Sequence, residues 1–551
     1  MTDKNESKLR YATIKGLENR AKKGDIKAIT QLYERYYDGY GVEKKLDKAE
    51  SYLVDLSREV KNKKLFIKEL VLKDFRSFSS FKSTFHSELT IFVGGNGTGK
   101  TAVLESLCLA LKFPSRCYVS KKANTSTPEG SDIKNGSKEY CDISVGMAIH
   151  DFKDNSKNDG TFQSSFVANS ELFLGRKSGK HEDFKLLGNI YRYISKQDET
   201  FFPFFYYYSV KRISTASKSL SQIENEMFKD KINSERLSIL KGNLDGSTNI
   251  SNTLQFFMQL DSRARSNEFD NIDSLEKEVE DFEKIVSSLD EDKIPESLSQ
   301  TLLSKRKALE ILQQEKQENF WHSLRTVVIE AVKSIVPEVE GLFIDRTSGE
   351  PVFKVRIDGE ELEFDQLSAG FQVMTGLAMD IALRMAWLNP SIKKPLEVTG
   401  VILIDEIELH LHPEWQQRVI LDLHKTFPNI QFIVTTHSPQ VLSTVDKKCI
   451  RKLVIGQDGL VSAETPYFQT RGVGSMDILN RIMDAPSVPD VPEHKLVLDF
   501  GRALSKGDEC ESKSLLSEII EHFGAQHPVV ADCESQKRIA EIKRRRKDSS
   551  A

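Results

Sequence analysis

The stretch ELTIFVGGNGTGKT (88–101) constrains the fold more than any other part of the chain. An apolar, β-branched run meets a glycine-rich loop, and the loop opens a helix at Lys100. Strand, then G-x-x-x-x-G-K-[ST], then helix is the context of a phosphate-binding α/β unit. The glycines let backbone N–H groups turn inward around phosphate oxygens, and the helix N-terminus adds positive potential there. Gly94, Asn96, Gly97 and Gly99 are expected to form the cradle. Lys100 is expected to reach the β- and γ-phosphates of ATP, and Thr101 to ligate Mg2+.

A second run, VILIDE (401–406), is an apolar strand ending in two acids, as in a Walker B element. Asp405 is expected to hold Mg2+ through water, and Glu406 to orient the attacking water and take its proton. Glu408, His410 and His412 follow closely, which suggests a metal-hydrolase ligand set. On an extended segment Glu406, Glu408, His410 and His412 would share one side. A metal site also needs closed geometry and outer partners, and ATP already brings its own Mg2+. The segment therefore reads better as a loop along a subunit interface, with Pro413 starting the next helix.

The chain has 551 residues, enough for several structural units, and its net charge of −4 argues against a surface coated for nucleic acid. No apolar run approaches the ~18 residues of a membrane helix. The polar start MTDKNESKLR has no signal-peptide core. Six scattered cysteines form no C-x-x-C pair, which fits a reduced, cytoplasmic setting.

Five regions follow. Residues 1–62 read as short helices resembling one Sel-one-like repeat unit, broken at Gly39–Gly41. One such unit cannot bury its own apolar face, so it docks on the rest of the chain or on another protein, unless it is a simple helical cap. Residues 63–215 form the lobe with the glycine-rich loop. Within it, 119–180 reads as surface hairpin or loop with one strand-like patch, CDISVGMAI, and FFPFFYYYSVKR (201–212) reads as a buried strand. Residues 216–335 are charged and helical. Leu275, Val279, Phe282, Val286 and Leu289 make a heptad seam, Pro295 breaks it, and Leu302, Leu309 and Leu312 resume it. This is a short antiparallel hairpin or an ordinary helical insertion. Residues 336–470 form a second lobe with a hairpin at Asp358–Gly359 and alternating helices and strands, an α/β construction. The region 471–551 reads as helical and ends in the basic RIAEIKRRRKDSSA, a phosphate-contacting arm or a solvated tail.

Two further motifs sharpen the assignment. LSAGFQ (367–372) sits where a helix begins, and TTHSPQ (435–440) follows a strand. They resemble the signature and switch motifs of ABC-type ATPases of the RecF, SMC and OLD kind. That resemblance implies that Ser368 and Gly370 donate to a γ-phosphate and that His437 senses it. KDFRSF (73–78) also matches, so Arg76 contacts the nucleotide phosphates or is a surface arginine. The implied fold is an ABC-type P-loop ATPase with a helical or coiled-coil insertion. The signature acts in trans there, which implies a head-to-tail homodimer, or a higher oligomer, around two ATP molecules. The glutamine that contacts Mg2+ in such enzymes has no clear counterpart; Gln163 is a candidate within a polar stretch.

Over residues 63–530 the layout resembles the PtuA-type ATPases of Septu and retron antiviral defence. The similar features are the strand ending SVKR, the series LSAGFQ, LIDEIELHLHP and TTHSPQ, and the tail TRGVGSMDILNRIMDAP. The insertion is too short for SMC arms, and no D-x-D of an OLD-type Toprim nuclease follows residue 445, so no nuclease is expected in this chain. The resemblance implies control of a PtuB-like HNH nuclease, in some systems beside a reverse transcriptase and its RNA–DNA hybrid. The alternative is a RecF-like repair ATPase that binds DNA directly.

Overall fold

The computed structural model describes residues 14–61, 63–137, 139–151, 158–171, 173, 175–195, 201–213, 237, 240, 242–246, 250–264, 279, 301–307, 320–347 and 351–548. The strands, in chain order, are β1 (Lys63–Phe75), β2 (Phe78–Thr84), β3 (Leu89–Val93), β4 (Tyr140–Asp151), β5 (Asn158–Asn169), β6 (Phe204–Tyr208), β7 (Val339–Asp345), β8 (Val352–Ile357), β9 (Glu360–Glu363), β10 (Gly400–Ile404), β11 (Ile430–Thr435), β12 (Ile450–Ile455) and β13 (Val461–Glu464). The chain divides into two compact units, residues 1–473 and 474–551.

Four short runs, LTIFV, FFYYY, GVILI and IQFIVT, are buried at every position. Uninterrupted apolar strands of this kind need cover on both faces, which parallel sheets receive from their crossover helices. They lie in a six-stranded sheet of order β13-β12-β3-β11-β10-β6, parallel except for β13. At Gly400, opposite Phe204, a side chain would run into the Phe204 backbone, so only glycine permits this strand pairing. The free edge of β6 is covered by residues returning from the insertion: Tyr207 N donates to Asn243 O (2.9 Å), and Asn243 Nδ2 donates to Phe205 O (2.8 Å).

A four-stranded antiparallel sheet, β2-β1-β4-β5, packs beside it. Its long strand β1 is irregular between Ile67 and Glu69. Buried side chains complete its backbone pairing: Leu65 N donates to Thr399 Oγ1 (2.9 Å), and Ile67 N donates to Gln431 Oε1 (2.7 Å). Buried backbone groups need such partners. β5 lies in the stretch read as surface hairpin or loop. Its inward row carries Phe162, Ser164 and Phe166, and the serine hides the alternation of an otherwise ordinary half-buried strand. The aromatic strand is shorter than its sequence suggested, because SVKR leaves it as a tight 3-10 turn, Val210–Ile213.

The helices Ile14–Ala21, Ile26–Asp38 and Leu46–Lys61 account for the N-terminal repeat-like stretch. Asp25 caps the second helix by accepting from Ala28 N, and Gly39 ends it in the left-handed region at φ 77°. The unit docks on the chain's own helix Glu182–Ile194. Lys27 pairs with Asp183 (2.7 Å), Tyr193 donates to Glu34 (2.8 Å), and the Tyr33 and Tyr193 rings lie 4.7 Å apart. The apolar face that a lone repeat cannot bury is therefore covered internally.

The heptad run lies outside the described residues except for Val279, as do Pro295, Leu309 and Leu312. The helices Ile250–Ala264 and Phe320–Ile335, on either side of the heptad run within the insertion, are tied down by buried carboxylates. Thr253 and Tyr208 both donate to Asp380 (2.7 Å each), which also pairs with Arg384 (2.8 Å). Asp261 accepts from Arg325 (2.6 Å) and Arg346 (3.0 Å). The hairpin β8–β9 turns on Asp358 and Gly359, both at positive φ, as a two-residue hairpin loop requires. After residue 445, β12 and β13 finish the large sheet before the C-terminal helices begin.

The second unit is built from the helices Ser475–Arg481, Pro492–Lys506, Glu509–Phe523 and Pro528–Asp548. Phe500, Leu516, Ile519, Val530 and Cys533 form its core. The basic end is helical through Asp548 rather than a structureless tail. Among the described residues, no helix is long and apolar enough to cross a membrane.

Candidate nucleotide site

Three of the motifs leave the carboxyl ends of neighbouring parallel strands, where ligands of open α/β sheets bind. β3 runs into the glycine-rich loop, β11 into the switch segment and β10 into the acidic pair, with β11 in the middle. Parallel register aligns these ends, so residues more than 300 positions apart meet.

The loop is shaped by Gly97 and Gly99, at φ 79° and 95°. A side chain at Gly99 would also strike the Phe78 ring. Thr98 donates through its hydroxyl to Gly95 O (2.9 Å), which tightens the turn and leaves Gly95, Asn96 and Gly97 exposed. Lys100 curls back and donates to Gly94 O (2.9 Å) and Gly95 O (3.0 Å). Burial lowers its pKa, and the carboxylates of Asp405, Glu406 and Glu408 oppose that shift. The ammonium is thus held inside the cradle, on two carbonyls that phosphate oxygens would replace.

Beside it, Thr101 donates to Asp405 Oδ2 (2.9 Å), and Thr435 donates to Asp405 Oδ1 (2.5 Å). The Thr435 hydroxyl in turn accepts from Glu406 N (2.8 Å). One chain of hydrogen bonds therefore joins all three strand ends. A hydroxyl and a carboxylate side by side are hard oxygen donors that suit Mg2+, which fills its remaining positions with water and phosphate. Among the described residues, no group of three or more His, Cys, Asp or Glu side chains is placed to form a metal cage.

Beyond Ile404, where β10 ends, the LIDEIELHLHP segment is not extended. Ile407 N is tied across to Thr435 O (3.1 Å), and turns follow, with Leu409 N donating to Glu406 O (3.0 Å) and Leu411 N to Glu408 O (2.9 Å). Glu406 and His410 sit at positive φ, 46° and 65°. These turns match the reading of the segment as a loop rather than as an extended ligand row, and the next helix starts at Pro413 as expected. Glu408 instead grips the switch segment, accepting from the Thr436 hydroxyl (2.7 Å) and from His437 N (2.5 Å). His412 caps the helix Pro413–Thr426 by accepting from Glu414 N (3.5 Å). His437 is held by its backbone, with its ring partly exposed.

Arg212 escaped the sequence reading. It is 2% exposed, and its two terminal nitrogens donate to Asp405 O (2.6 Å) and Glu406 O (2.7 Å). SVKR counts among the family features, but nothing in it sets Arg212 apart from Lys211 or ties it to the acidic pair. Glu408 was noticed, but not as the clamp on His437.

Other candidates lie elsewhere. Ser368 caps the helix Ala369–Leu388 by accepting from Phe371 N (3.5 Å), and its side chain is exposed. Gly370 packs against the 410–412 turn. Among the described residues, neither is hydrogen-bonded to the glycine-rich loop of its own chain. Arg76, at φ 49°, is engaged by Asp132 (3.0 Å) and by Glu105 of the helix that opens at Lys100. Gln163 is on β5 rather than in a loop, and it donates to Glu69 Oε1 (2.8 Å), not to the Thr101–Asp405 pair.

Residues 66–442 match the AAA ATPase domain family. The chain is 32% identical over 503 residues to the retron Vc95 probable ATPase of Vibrio cholerae serotype O1 biovar El Tor, covering 90% of this chain and 94% of that one. It is 28% identical over 546 residues to the retron Ec83 probable ATPase of Escherichia coli, covering 96% and 97%. It is also 30% identical over 156 residues to the Septu protein PtuA of Bacillus thuringiensis, covering 27% and 39%.

Proposed function

Because the chain belongs to the AAA ATPase domain family and, within it, to the retron and Septu PtuA-type ATPases, we propose that it is the ATP-hydrolysing control and scaffold subunit of a bacterial antiphage complex. In this reading it governs an associated HNH nuclease, in a setting that includes a reverse transcriptase and its RNA–DNA hybrid. The observation that carries the catalytic part is the chain Thr101–Asp405–Thr435, which joins the phosphate loop to the acidic and switch segments.

On binding, the triphosphate displaces the carbonyls from Lys100, which then neutralises the β- and γ-oxygens. Thr101 and Asp405 would hold the Mg2+ that accompanies ATP and offsets its charge. Glu406 takes the proton of the attacking water. Glu408 keeps His437 at the same end of the sheet, where it can meet the γ-phosphate. Among the described residues, Ser368 and Gly370 make no hydrogen bond to their own loop, which favours a composite site in which the partner subunit's Ser368 closes on the nucleotide of this one. Moving such a pair from mostly open to mostly closed needs ~5.5 kcal/mol of differential binding. Two nucleotides, each making several charge-assisted hydrogen bonds of ~1.5–3 kcal/mol, can supply it. Hydrolysis removes the bridging phosphate, so the ATPase acts as a slow switch.

Two measurements test this. Chains carrying Lys100→Ala and chains carrying Ser368→Arg are each expected to be inactive. Mixed in equal amounts they rebuild one intact composite site in half of the dimers, restoring roughly a quarter of the normal rate. No recovery on mixing, after confirmed exchange of subunits, means that the sites do not lie between subunits. For the partners, the chain is purified from its native locus and everything that follows it is identified by mass. A small HNH protein, with or without a reverse transcriptase and hybrid, is the expected result. The chain alone, or with random chromosomal DNA, overturns the complex.

A further inference from the structure

We infer that Arg212 is a positioning residue for hydrolysis: its guanidinium fork fixes the backbone turn that aims Glu406, so losing the fork slows turnover without loosening ATP. The inference rests on reading Glu406 as the general base.

The fork is unusual in what it holds. Arg212 donates to three backbone carbonyls: those of the consecutive residues Asp405 (2.6 Å) and Glu406 (2.7 Å) and, from the same terminal nitrogen that meets Asp405, that of Ser209 (3.3 Å). Burial lowers its pKa to about 10, and the nearby carboxylates of Asp405, Glu408 and Glu406 oppose the shift, so it remains charged at neutral pH. Among the described residues, its buried Nε has no hydrogen-bond partner. The arginine thus serves backbone carbonyls while its Nε–H goes unmatched, and such a group calls for an explanation.

Those carbonyls bracket a strained residue. Glu406 sits at φ 46°, a region that non-glycine residues rarely adopt and that persists only where the surroundings enforce it. From one side the Thr435 hydroxyl takes Glu406 N (2.8 Å), and from the other Arg212 takes Glu406 O. Together they fix the peptide groups flanking the Glu406 Cα, and hence the direction of its carboxylate. Only a planar fork reaches two neighbouring carbonyls at once; an ammonium is a single point charge on a flexible stem.

The base of the fork is anchored to a distant segment. Arg212 N donates to Ser209 O (3.1 Å), and the Ser209 hydroxyl donates to Gly246 O (2.6 Å). Strand β6, the Arg212 turn and residues 242–246 thus form one braced unit against the acidic pair.

The test uses the full chain with Arg212→Met, which has similar length and no donors, and with Arg212→Lys. Each is made alone and together with Glu406→Gln. For Arg212→Met, kcat is expected to fall ~10^2-fold, the loss typical of a misplaced catalytic group, with ATP affinity within ~threefold of normal. Arg212→Lys is expected to fall between it and the wild type. In the Glu406→Gln background, Arg212→Met is expected to cost nothing further in single-turnover hydrolysis, because a residue acting through Glu406 has nothing left to act on. Normal kcat in Arg212→Met, or a further tenfold loss in the Glu406→Gln background, overturns the inference. Should Arg212→Met not fold, Arg212→Lys decides: lowered kcat with unchanged KM supports the fork, and unchanged kcat, or kcat and KM worsened together, opposes it. If Glu406→Gln alone hydrolyses ATP normally, the general-base reading fails, and the split between kcat and KM in the arginine variants still reports on the fork by itself.

Discussion

Glu406→Gln is expected to bind Mg2+ and ATP like the wild type and to hydrolyse ATP ~10^2–10^4-fold more slowly, the usual contribution of a general base. The amide has the shape of the carboxylate but cannot accept a proton from water. The backbone around it is held independently of the side chain, since Glu406 N bonds Thr435 and Glu406 O bonds Arg212. The substitution therefore removes one chemical function and leaves the turn in place. With hydrolysis stopped, the γ-phosphate persists between subunits and the closed dimer accumulates. Single-turnover hydrolysis and light scattering with and without ATP measure the two effects. Unchanged hydrolysis would move the base elsewhere, and a variant that stays monomeric with ATP bound would remove the sandwich.

Lys100→Ala is expected to weaken ATP binding by ~10–10^2-fold, the equivalent of one charge-assisted hydrogen bond of ~1.5–3 kcal/mol. The same ammonium holds Gly94 O and Gly95 O, so thermal melting without nucleotide serves as the control for loop shape. Titration with a fluorescent ATP analogue reads the affinity, and binding within ~threefold of normal would rule out the contact. The pH dependence has a definite sign. Burial lowers the Lys100 pKa below the ordinary 10.5, and only the charged form attracts phosphate. Affinity is therefore complete on the acid side of that lowered pKa and is lost as the pH rises through it, before an exposed lysine would lose its charge. The alanine variant should lack this alkaline limb.

Much of the site can be read directly from short stretches, because each motif carries its own local physics. The glycine-rich loop needs only the strand before it and the helix after it. Ser368 and Ser438 each cap the helix that follows, so LSAGFQ and TTHSPQ announce a helix start within a few residues. VILI is apolar throughout because its strand is covered on both faces. β5 was obscured because a buried serine, Ser164, interrupts the apolar row. At 405–412 alternation along an extended chain would place two acids and two histidines together, but the loop reading preferred over it matches the turns. The tight turns send Glu408 to the switch segment and His412 to a helix cap.

Residue type and spacing determined the α/β class, the glycine-rich turn and the acidic strand end, since these depend on backbone geometry within one strand–loop–helix passage. The grip of Arg212 on the acidic turn spans 193 and 194 residues. The Thr101–Asp405 bond spans 304, and the clamp of Glu408 on His437 crosses between two strand ends. No periodicity in a single chain encodes such contacts. They exist because β3, β11, β10 and β6 lie parallel and in register, which brings their carboxyl ends to one edge of the sheet.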